Sequence, residues 1–185
     1  MKRLWIMLLI VFSLSGCRVS DKMEDALLLR SKLITGEGCS FEAQITADYI
    51  DTVYEFSLQC CFDNSGNMKF SVEEPASISG ICGRIEGDRG KLQYEDRILG
   101  FSLMADDQVA PVSAPWILVR ALRSGYISTC SASDTGCCIT VDDSYDEDPL
   151  ILQVWTDAQL LPREAEIIYR GRRILSIEIK NFRFL

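Results

Sequence analysis

Apolar and polar residues alternate with a period of two along most of the chain. The clearest case begins at residue 39, where Cys39, Phe41, Ala43 and Ile45 alternate with polar neighbours. This spacing is typical of β-strands with one buried face, because successive side chains point to opposite sides of a strand. The pattern predicts strands over residues 39–49, 54–62, 68–72, 79–86, 91–94, 98–104, 126–133, 137–141, 150–156, 163–170 and 173–184.

Two segments change to a helical period. One covers residues 21–34, and the other covers residues 116–123, where apolar residues occupy most of the circumference. A short helix of that composition is either buried or lies across an apolar concavity. The apolar face of the first helix is predicted to comprise Met23, Leu27, Arg30 and Ile34, flanked by Ala26, Leu29 and Leu33.

Two positions predict special backbone geometry. Gly136 lies in the turn of a hairpin, where a left-handed bulge conformation is common. In the last strand, Phe182 breaks the alternation set by Ile179, which predicts a β-bulge near Asn181.

The order of the elements predicts the fold class. Strands do not alternate with helices, so the sheet is expected to be antiparallel. So many long strands with one apolar face need closure or a cover, and the two helices are the available cover. The expected fold is mainly β (α+β): a curved antiparallel half-barrel sheet of about eleven strands, covered by two or more helices, with an apolar cleft between them.

The first residues predict export. Lys2 and Arg3 precede an apolar run over residues 4–14, which is shorter than the about 20 residues that a membrane span needs. A basic N-terminus, a short apolar run and small residues before the cleavage site are typical of a secretory signal peptide. An ordinary secretory signal that carries a chance cysteine at residue 17 would share these features.

The segment Leu14-Ser15-Gly16-Cys17 resembles the lipobox of bacterial lipoproteins. The resemblance implies that Cys17 is lipidated and becomes the mature N-terminus. The chain then divides into a signal peptide (1–16), a lipidated cysteine with a short tether (17–20) and one domain (21–185). The expected location is the extracytoplasmic face of the cell membrane, or the outer membrane if the source has one.

Composition excludes several functions. The chain has 27 acidic and 19 basic residues and no evident cluster of basic ones, so nucleic acid is not an expected partner. For the same reason, contact with the membrane is expected through the lipid on Cys17 alone. Because the chain contains no histidine, Ser-His-Asp and Cys-His catalysis and histidine-ligated zinc are excluded.

Cysteine is abundant, with eight in the chain. If Cys17 carries lipid, an odd number remains, so at least one thiol is free. Disulfides remain possible in an exported protein, and the candidate pairs are Cys130 with Cys138 and Cys61 with Cys82. The other thiols of the mature chain are Cys39, Cys60 and Cys137.

Each vicinal pair in a strand is expected to have one buried and one outer thiol, with Cys60 inward and Cys61 outward. Neither pair has an obvious neighbouring cation that would stabilise a thiolate. A joint four-thiolate metal site formed with Cys137 and Cys138 is the alternative, but the spacing does not suit zinc. No metal or cofactor is expected.

The mature chain resembles the lipoprotein-carrier family of LolA, LolB and related sorting-protein-like lipoproteins. That family's fold is a half-closed antiparallel barrel lidded by helices, with a hydrophobic cavity that holds acyl chains or docks other proteins. Some members are germination lipoproteins that bind and regulate a peptidoglycan amidase. The residues that carry the resemblance are segment 41–72 with Met68-Lys69-Phe70, Pro115, Val154-Trp155-Thr156-Asp157, Leu161-Pro162, Glu166-Ile167, Arg173-Ile174-Leu175 and Ile177-Glu178-Ile179.

The leading functional hypothesis is a non-catalytic lipoprotein whose cleft binds an acyl chain or another hydrophobic ligand. The alternatives are a docking protein that holds an envelope enzyme such as a peptidoglycan amidase, and an enzyme, for which no carboxylate pair stands out. Each candidate lining residue could instead belong to a filled core. The predicted lining is Phe41, Ile45, Tyr54, Phe56, Leu58, Phe70, Val72, Trp116 and Leu122.

Overall fold

The computed structural model describes residues 21–105, 108–144 and 150–185, so Cys17 and the tether lie outside the described residues. The helices are α1 (Asp21–Thr35) and α2 (Ala114–Ser124), with a 3₁₀ turn at Pro111–Ser113. The strands are β1 (Gly38–Asp48), β2 (Val53–Asp63), β3 (Met68–Glu74), β4 (Cys82–Glu86), β5 (Arg89–Tyr94), β6 (Arg97–Ser102), β7 (Met104–Ala105), β8 (Gln108–Val109), β9 (Tyr126–Ala132), β10 (Cys137–Asp142), β11 (Leu150–Thr156), β12 (Pro162–Tyr169) and β13 (Arg172–Phe184).

Eleven of the described strands form one open antiparallel sheet in the order β6-β5-β4-β3-β2-β1-β13-β12-β11-β10-β9. Its centre is the pairing of β1 with β13, which joins the two ends of the domain. The remaining strands, β7 and β8, form a two-residue ladder of their own. The predicted mainly β fold, with an antiparallel half-barrel sheet and two helices, is confirmed.

The alternating pattern decides which face of the sheet is buried. Along β1, Ala43, Ile45 and Ala47 are fully buried. Their direct partners on β13, which are Ile179, Ile177 and Leu175, are buried as well. We call this side, which carries the core beneath the helices, the inner face, and the opposite side the outer face.

Two differences between the predicted and observed strand boundaries follow from hydrogen bonds in the adjoining turns, and elsewhere the boundaries differ by two residues or fewer. The strand predicted from residue 79 begins at Cys82, because residues 75–79 form a turn in which the Ser79 amide donates to the Pro75 carbonyl at 3.1 Å. The strand predicted to residue 104 ends at Ser102. The Ala110 amide then donates to the Leu103 carbonyl at 2.8 Å, which folds the chain back on itself.

The bulge at Asn181 is confirmed. Asn181 has a φ of 54°, and the pairing of β1 with β13 shifts by one residue between Ser40 and Glu42. The shift turns Phe182 to the inner face, where its ring stacks on Phe41 at 5.4 Å.

The prediction for Gly136 is wrong. Gly136 does not have a positive φ. A Cβ atom there would lie 2.4 Å from the carbonyl oxygens of both Thr156 and Asp157. Glycine is therefore required by the close approach of the β11–β12 turn and not by a left-handed backbone.

The buried face of α1 is rotated from the predicted one. Ala26, Leu29 and Leu33 are buried, whereas Leu27 and Ile34 are about half exposed. The rotation follows from what α1 packs against, which is α2 on one side and β9 on the other. No helix in the described parts of the chain is long and apolar enough to cross a bilayer.

The two helices hold each other through arginines. The Arg30 guanidinium of α1 donates to the carbonyls of Leu122 at 2.7 Å and Gly125 at 2.6 Å, at the C-terminal end of α2. Arg123, in the last turn of α2, donates to the Leu33 carbonyl of α1 at 2.6 Å. Each guanidinium satisfies carbonyls that a helix end leaves without partners.

Candidate functional site

The nine predicted cleft residues divide into two groups. Six lie in the packed core, at most 5% exposed, and none of them lines the pocket described below. They are Phe41, Ile45, Leu58, Phe70, Trp116 and Leu122. The other three, Tyr54, Phe56 and Val72, line an open pocket at one rim of the sheet.

We call this space the rim pocket. Its volume is about 790 Å³, and it lies between the β1–β2 turn, the end of β3 and the segment that precedes α2. A volume of this size falls within the roughly 300–1,000 Å³ of small-molecule sites. The lining residues are Tyr49, Asp51, Thr52, Tyr54, Phe56, Val72, Ile78, Ser102, Val109, Ala110, Pro111 and Val112.

One wall of the rim pocket is a short segment that we call the flap, residues 109–112. The hydroxyl of Tyr49, at the end of β1, donates to the Val109 carbonyl. The Ala110 carbonyl accepts from the Ser113 amide at 2.9 Å and from the Ser113 hydroxyl at 2.6 Å. These bonds attach the flap to the sheet and to the start of α2, so they hold this wall of the pocket in place.

The lining suits an uncharged apolar ligand. Tyr54 and Ile78 present apolar surface to the opening, at 52% and 39% exposure. The rings of Tyr49 and Tyr54 meet edge to face at 6.3 Å, and burial, followed by the neighbouring Tyr54, raises the pKa of Tyr49. The Tyr49 hydroxyl therefore stays neutral to a higher pH than an ordinary tyrosine, and Asp51 is the one carboxylate among the described lining residues.

The described residues hold no group of three or more cysteine, aspartate or glutamate side chains suited to a metal ion. The four-thiolate alternative required Cys60 and Cys61 to approach Cys137 and Cys138. The first pair is on β2 and the second on β10, five positions apart in the sheet.

Neither candidate disulfide has suitable geometry. The hairpin register places Cys138 opposite Ser131 and Cys130 opposite Ile139, so the two cysteines face opposite sides of the sheet. Cys61 and Cys82 share the outer face, but β3 lies between their strands, and a disulfide needs Cα atoms within about 7 Å. All seven described cysteines are free.

The inner face instead brings Cys130 close to Cys137, which lies diagonally across the hairpin. Burial is the largest cause of the raised pKa of Cys130, about 12, and Cys137 adds to it. The Cys137 sulfur also lies 3.3 Å from the Thr156 hydroxyl. Cys130 is therefore a poor nucleophile.

Two features were missed by the sequence reasoning. The flap has no periodic pattern, so nothing in its residues indicated that it forms a pocket wall. The cation beside Cys61 was also missed. It is Lys69 of β3, which lies directly opposite Cys61 of β2. The turn at residues 63–67 could have shown this, since a hairpin turn sets the register of the strands that follow.

No protein-family model matches the chain, and no curated protein matches it. Solved structures similar to it include a LolA superfamily protein from Nitrosomonas europaea, with 10% identity, coverage of 86% of this chain and 93% of that chain, and a TM-score of 0.43. The lipoprotein LppX from Mycobacterium tuberculosis has 13% identity, coverage of 88% of this chain and 93% of that chain, and a TM-score of 0.42. The structure of the CwlD amidase from Clostridioides difficile in complex with the GerS lipoprotein has 14% identity, coverage of 92% of this chain and 99% of that chain, and a TM-score of 0.41. These similarities, all at 14% identity or less, concern the fold alone.

Proposed function

We propose that this protein is a non-catalytic lipoprotein, anchored through Cys17, that binds an acyl chain or a similar hydrophobic ligand in the rim pocket. The observation that supports this proposal is that a mainly apolar pocket of about 790 Å³ opens beside the packed core. Apolar surface of this kind is usually buried, and an exposed concave patch of it is typical of a binding site.

The energetics favour an aliphatic ligand. Each methylene group moved from water into an apolar site contributes about 0.8 kcal/mol, so a chain of several methylenes binds without any charged contact. The pocket is open on one side, so a head group or an attached protein would stay in solvent near Asp51. The six core residues of the predicted lining would join this site only if α2 moved away from the sheet.

The test is a single charge placed in the pocket wall. Ile78→Glu puts a carboxylate at the opening, and we expect the substitution to reduce hydrophobic ligand binding at least about tenfold, because an apolar contact is replaced by a charge that must stay hydrated. Native mass spectrometry of the full chain, gently extracted from its own membrane, measures the fraction that carries a ligand.

Leu99→Glu is the matched control, since Leu99 is exposed on β6 and does not line the rim pocket. Equal ligand occupancy in the two variants would contradict the proposal. Absence of any bound lipid in the unaltered protein, together with no binding of a fluorescent fatty acid, would contradict it as well.

A second candidate function is docking of an envelope protein, such as a cell-wall hydrolase, at the edge strand β6. Ile98 and Leu99 are 70% and 65% exposed there, and an edge strand offers unpaired backbone groups to an added strand. The same mass spectra separate the two functions. A stoichiometric protein adduct with an empty pocket favours docking, and a lipid-sized adduct favours ligand binding.

A further inference from the structure

Three cations stand in one row on the outer face of the sheet. Lys69 of β3 lies directly opposite Arg84 of β4, and Arg84 lies directly opposite Lys91 of β5. We call these three residues the basic row. They are far apart in the sequence, and only the register of two hairpins brings them together.

The basic row is unfavourable for the fold by itself. Like charges directly opposite each other on neighbouring strands are destabilising. Within the described residues, neither lysine of the row has an ion-pair partner. Arg84 pairs with Glu86 of its own strand at 3.5 Å, and both side chains are more than half exposed. The chain carries a formal net charge of −8, so it has enough acidic residues to separate these cations if this surface served only to contact solvent.

A depression of about 560 Å³ lies beside the basic row. Its other side is a second outer-face row, two residues further along each strand and so about 6.8 Å away, which contributes Ser71 and Gln93. The Gln93 amide therefore faces the cations across the depression, whereas the Ser71 hydroxyl already donates its hydrogen to the Glu73 carboxylate at 2.7 Å. Phe70 and Gly83, which lie opposite each other and belong to the inner-face register, also border the depression, so its floor is the sheet itself.

The depression stays accessible at the edge of the sheet. On β6 the residue opposite Lys91 is Gly100, where even an added Cβ would meet nothing within 4 Å. Ile98, also on β6, gives the depression an exposed apolar border. A ligand can enter from this edge without displacing any side chain of the described residues.

We propose that the basic row and this depression bind a phosphate-bearing ligand. A phosphate offers several charged acceptor oxygens, which match an arginine fork flanked by two ammonium groups and the Gln93 amide. The two sources of such a group are a soluble phosphate compound and the head group of an anionic phospholipid. The site lies on the outer face, away from the rim pocket, and does not depend on the function proposed for that pocket.

Two thiols provide the readout. Cys61 and Cys82 are exposed and line the depression, whereas Cys138, on the outer face of β10, is remote from it. Inorganic pyrophosphate is the soluble probe, and an uncharged maleimide is the thiol reagent. At matched ionic strength and ten times the Kd, we expect modification of Cys61 and Cys82 to slow about tenfold, because the rate follows the unoccupied fraction. The rate at Cys138 is expected to stay unchanged.

The variant K69Q/R84Q/K91Q is expected to abolish this protection. The control K32Q/R172Q/K180Q removes the same number of positive charges, from α1 and β13, and is expected to retain the protection. The lipid arm uses the full lipidated chain in phosphatidylglycerol vesicles, compared with digalactosyl diacylglycerol vesicles, which contain no phosphate. Protection by pyrophosphate assigns a soluble source, and protection by phosphatidylglycerol alone assigns a lipid source.

Three results would overturn the proposal. The first is no protection from either pyrophosphate or phosphatidylglycerol. The second is protection that persists in K69Q/R84Q/K91Q. The third is equal protection by poly-glutamate, which would indicate an acidic peptide as the ligand.

Discussion

Burial decides the chemistry of the individual thiols. Removal from water raises the pKa of Cys39 to about 12, and it is also the largest cause of the raised pKa of Cys60, to which Cys39 and Cys61 add. Cys61 points to the outer face and is exposed. A vicinal pair in a strand therefore consists of one inert thiol and one accessible thiol, as the alternating pattern predicts.

The raised pKa values predict a loss of stability at alkaline pH. In the unfolded chain these thiols ionise near their ordinary value of 9.0, whereas in the folded protein they stay protonated to a higher pH. Their contribution is therefore fully present below pH 9 and is lost as the pH rises towards 12. The free energy of unfolding is expected to fall by up to about 1.4 kcal/mol per pH unit for each buried thiol over this range.

Urea unfolding in a reducing buffer, repeated from about pH 8 to about pH 11, measures this slope. The variant C39A/C60A is expected to show a shallower decline than the unaltered protein. C61A is the control and is expected to keep the original slope. Parallel curves for C39A/C60A and the unaltered protein would contradict the prediction.

At the scale of elements, the helices are positioned by specific polar contacts as well as by apolar packing. Arg30 binds the carbonyl end of α2, while Arg123 binds the Leu33 carbonyl of α1 and the Asn64 carbonyl in the β2–β3 turn. Three elements are therefore joined at one end of the domain. Since α2 follows the flap directly, these contacts also determine where the flap meets the sheet.

Loss of Arg30 is expected to destabilise the domain. Arg30→Met keeps much of the side-chain volume but leaves the carbonyls of Leu122 and Gly125 without their donor. We expect a decrease of about 2–3 kcal/mol in the free energy of unfolding, which is typical of hydrogen bonds from a charged group. Lys32→Met on the exposed side of α1 is the matched control and should change it by less than about 0.5 kcal/mol. An equal effect of both substitutions in urea unfolding would show that Arg30 contributes no specific contact.

At the scale of the molecule, function depends on where the domain is held. The interval between Cys17 and α1 is three residues, which span about 10 Å when extended. A lipid on Cys17 would therefore keep the domain at the membrane surface. Such a short tether favours a fixed acceptor or docking protein over a carrier that moves freely.

Cys17→Ala tests the anchor. The variant is expected to lose incorporation of a labelled fatty acid and to move from the membrane fraction to the soluble fraction, because it has no thiol for the lipid. Fractionation followed by immunoblotting measures the change, and Cys61→Ala, which removes an exposed thiol elsewhere, is the control. Membrane association that persists in Cys17→Ala would place the attachment in another part of the chain.

The strands were largely predictable because their signal is local. A residue such as Ile45 is apolar and has polar neighbours, and that is enough to indicate a strand and the side that it buries. The face of α1 was less predictable. Apolar residues occupy most of that helix, so its rotation was decided by α2 and β9, which are distant in the sequence.

The candidate site shows the same limit. Alternation correctly predicts that Phe41 and Phe56 point inward, but it contains no information on whether the space beside each one is filled. Phe41 is covered by Phe62 and Phe182, whereas Phe56 borders the rim pocket. That difference depends on the flap, which reaches the sheet through the bond from Tyr49 to Val109.

The sequence by itself determined the strand pattern, the inward side of each strand and the exclusion of histidine chemistry, because these follow from residue types and near-neighbour spacing. Its first residues also carry the prediction of a lipid anchor at Cys17. Only the tertiary structure decided the position of the rim pocket, the neighbours of each thiol and the alignment of Lys69, Arg84 and Lys91. These features depend on the register between strands and on packing between distant segments, and short-range patterns do not encode either.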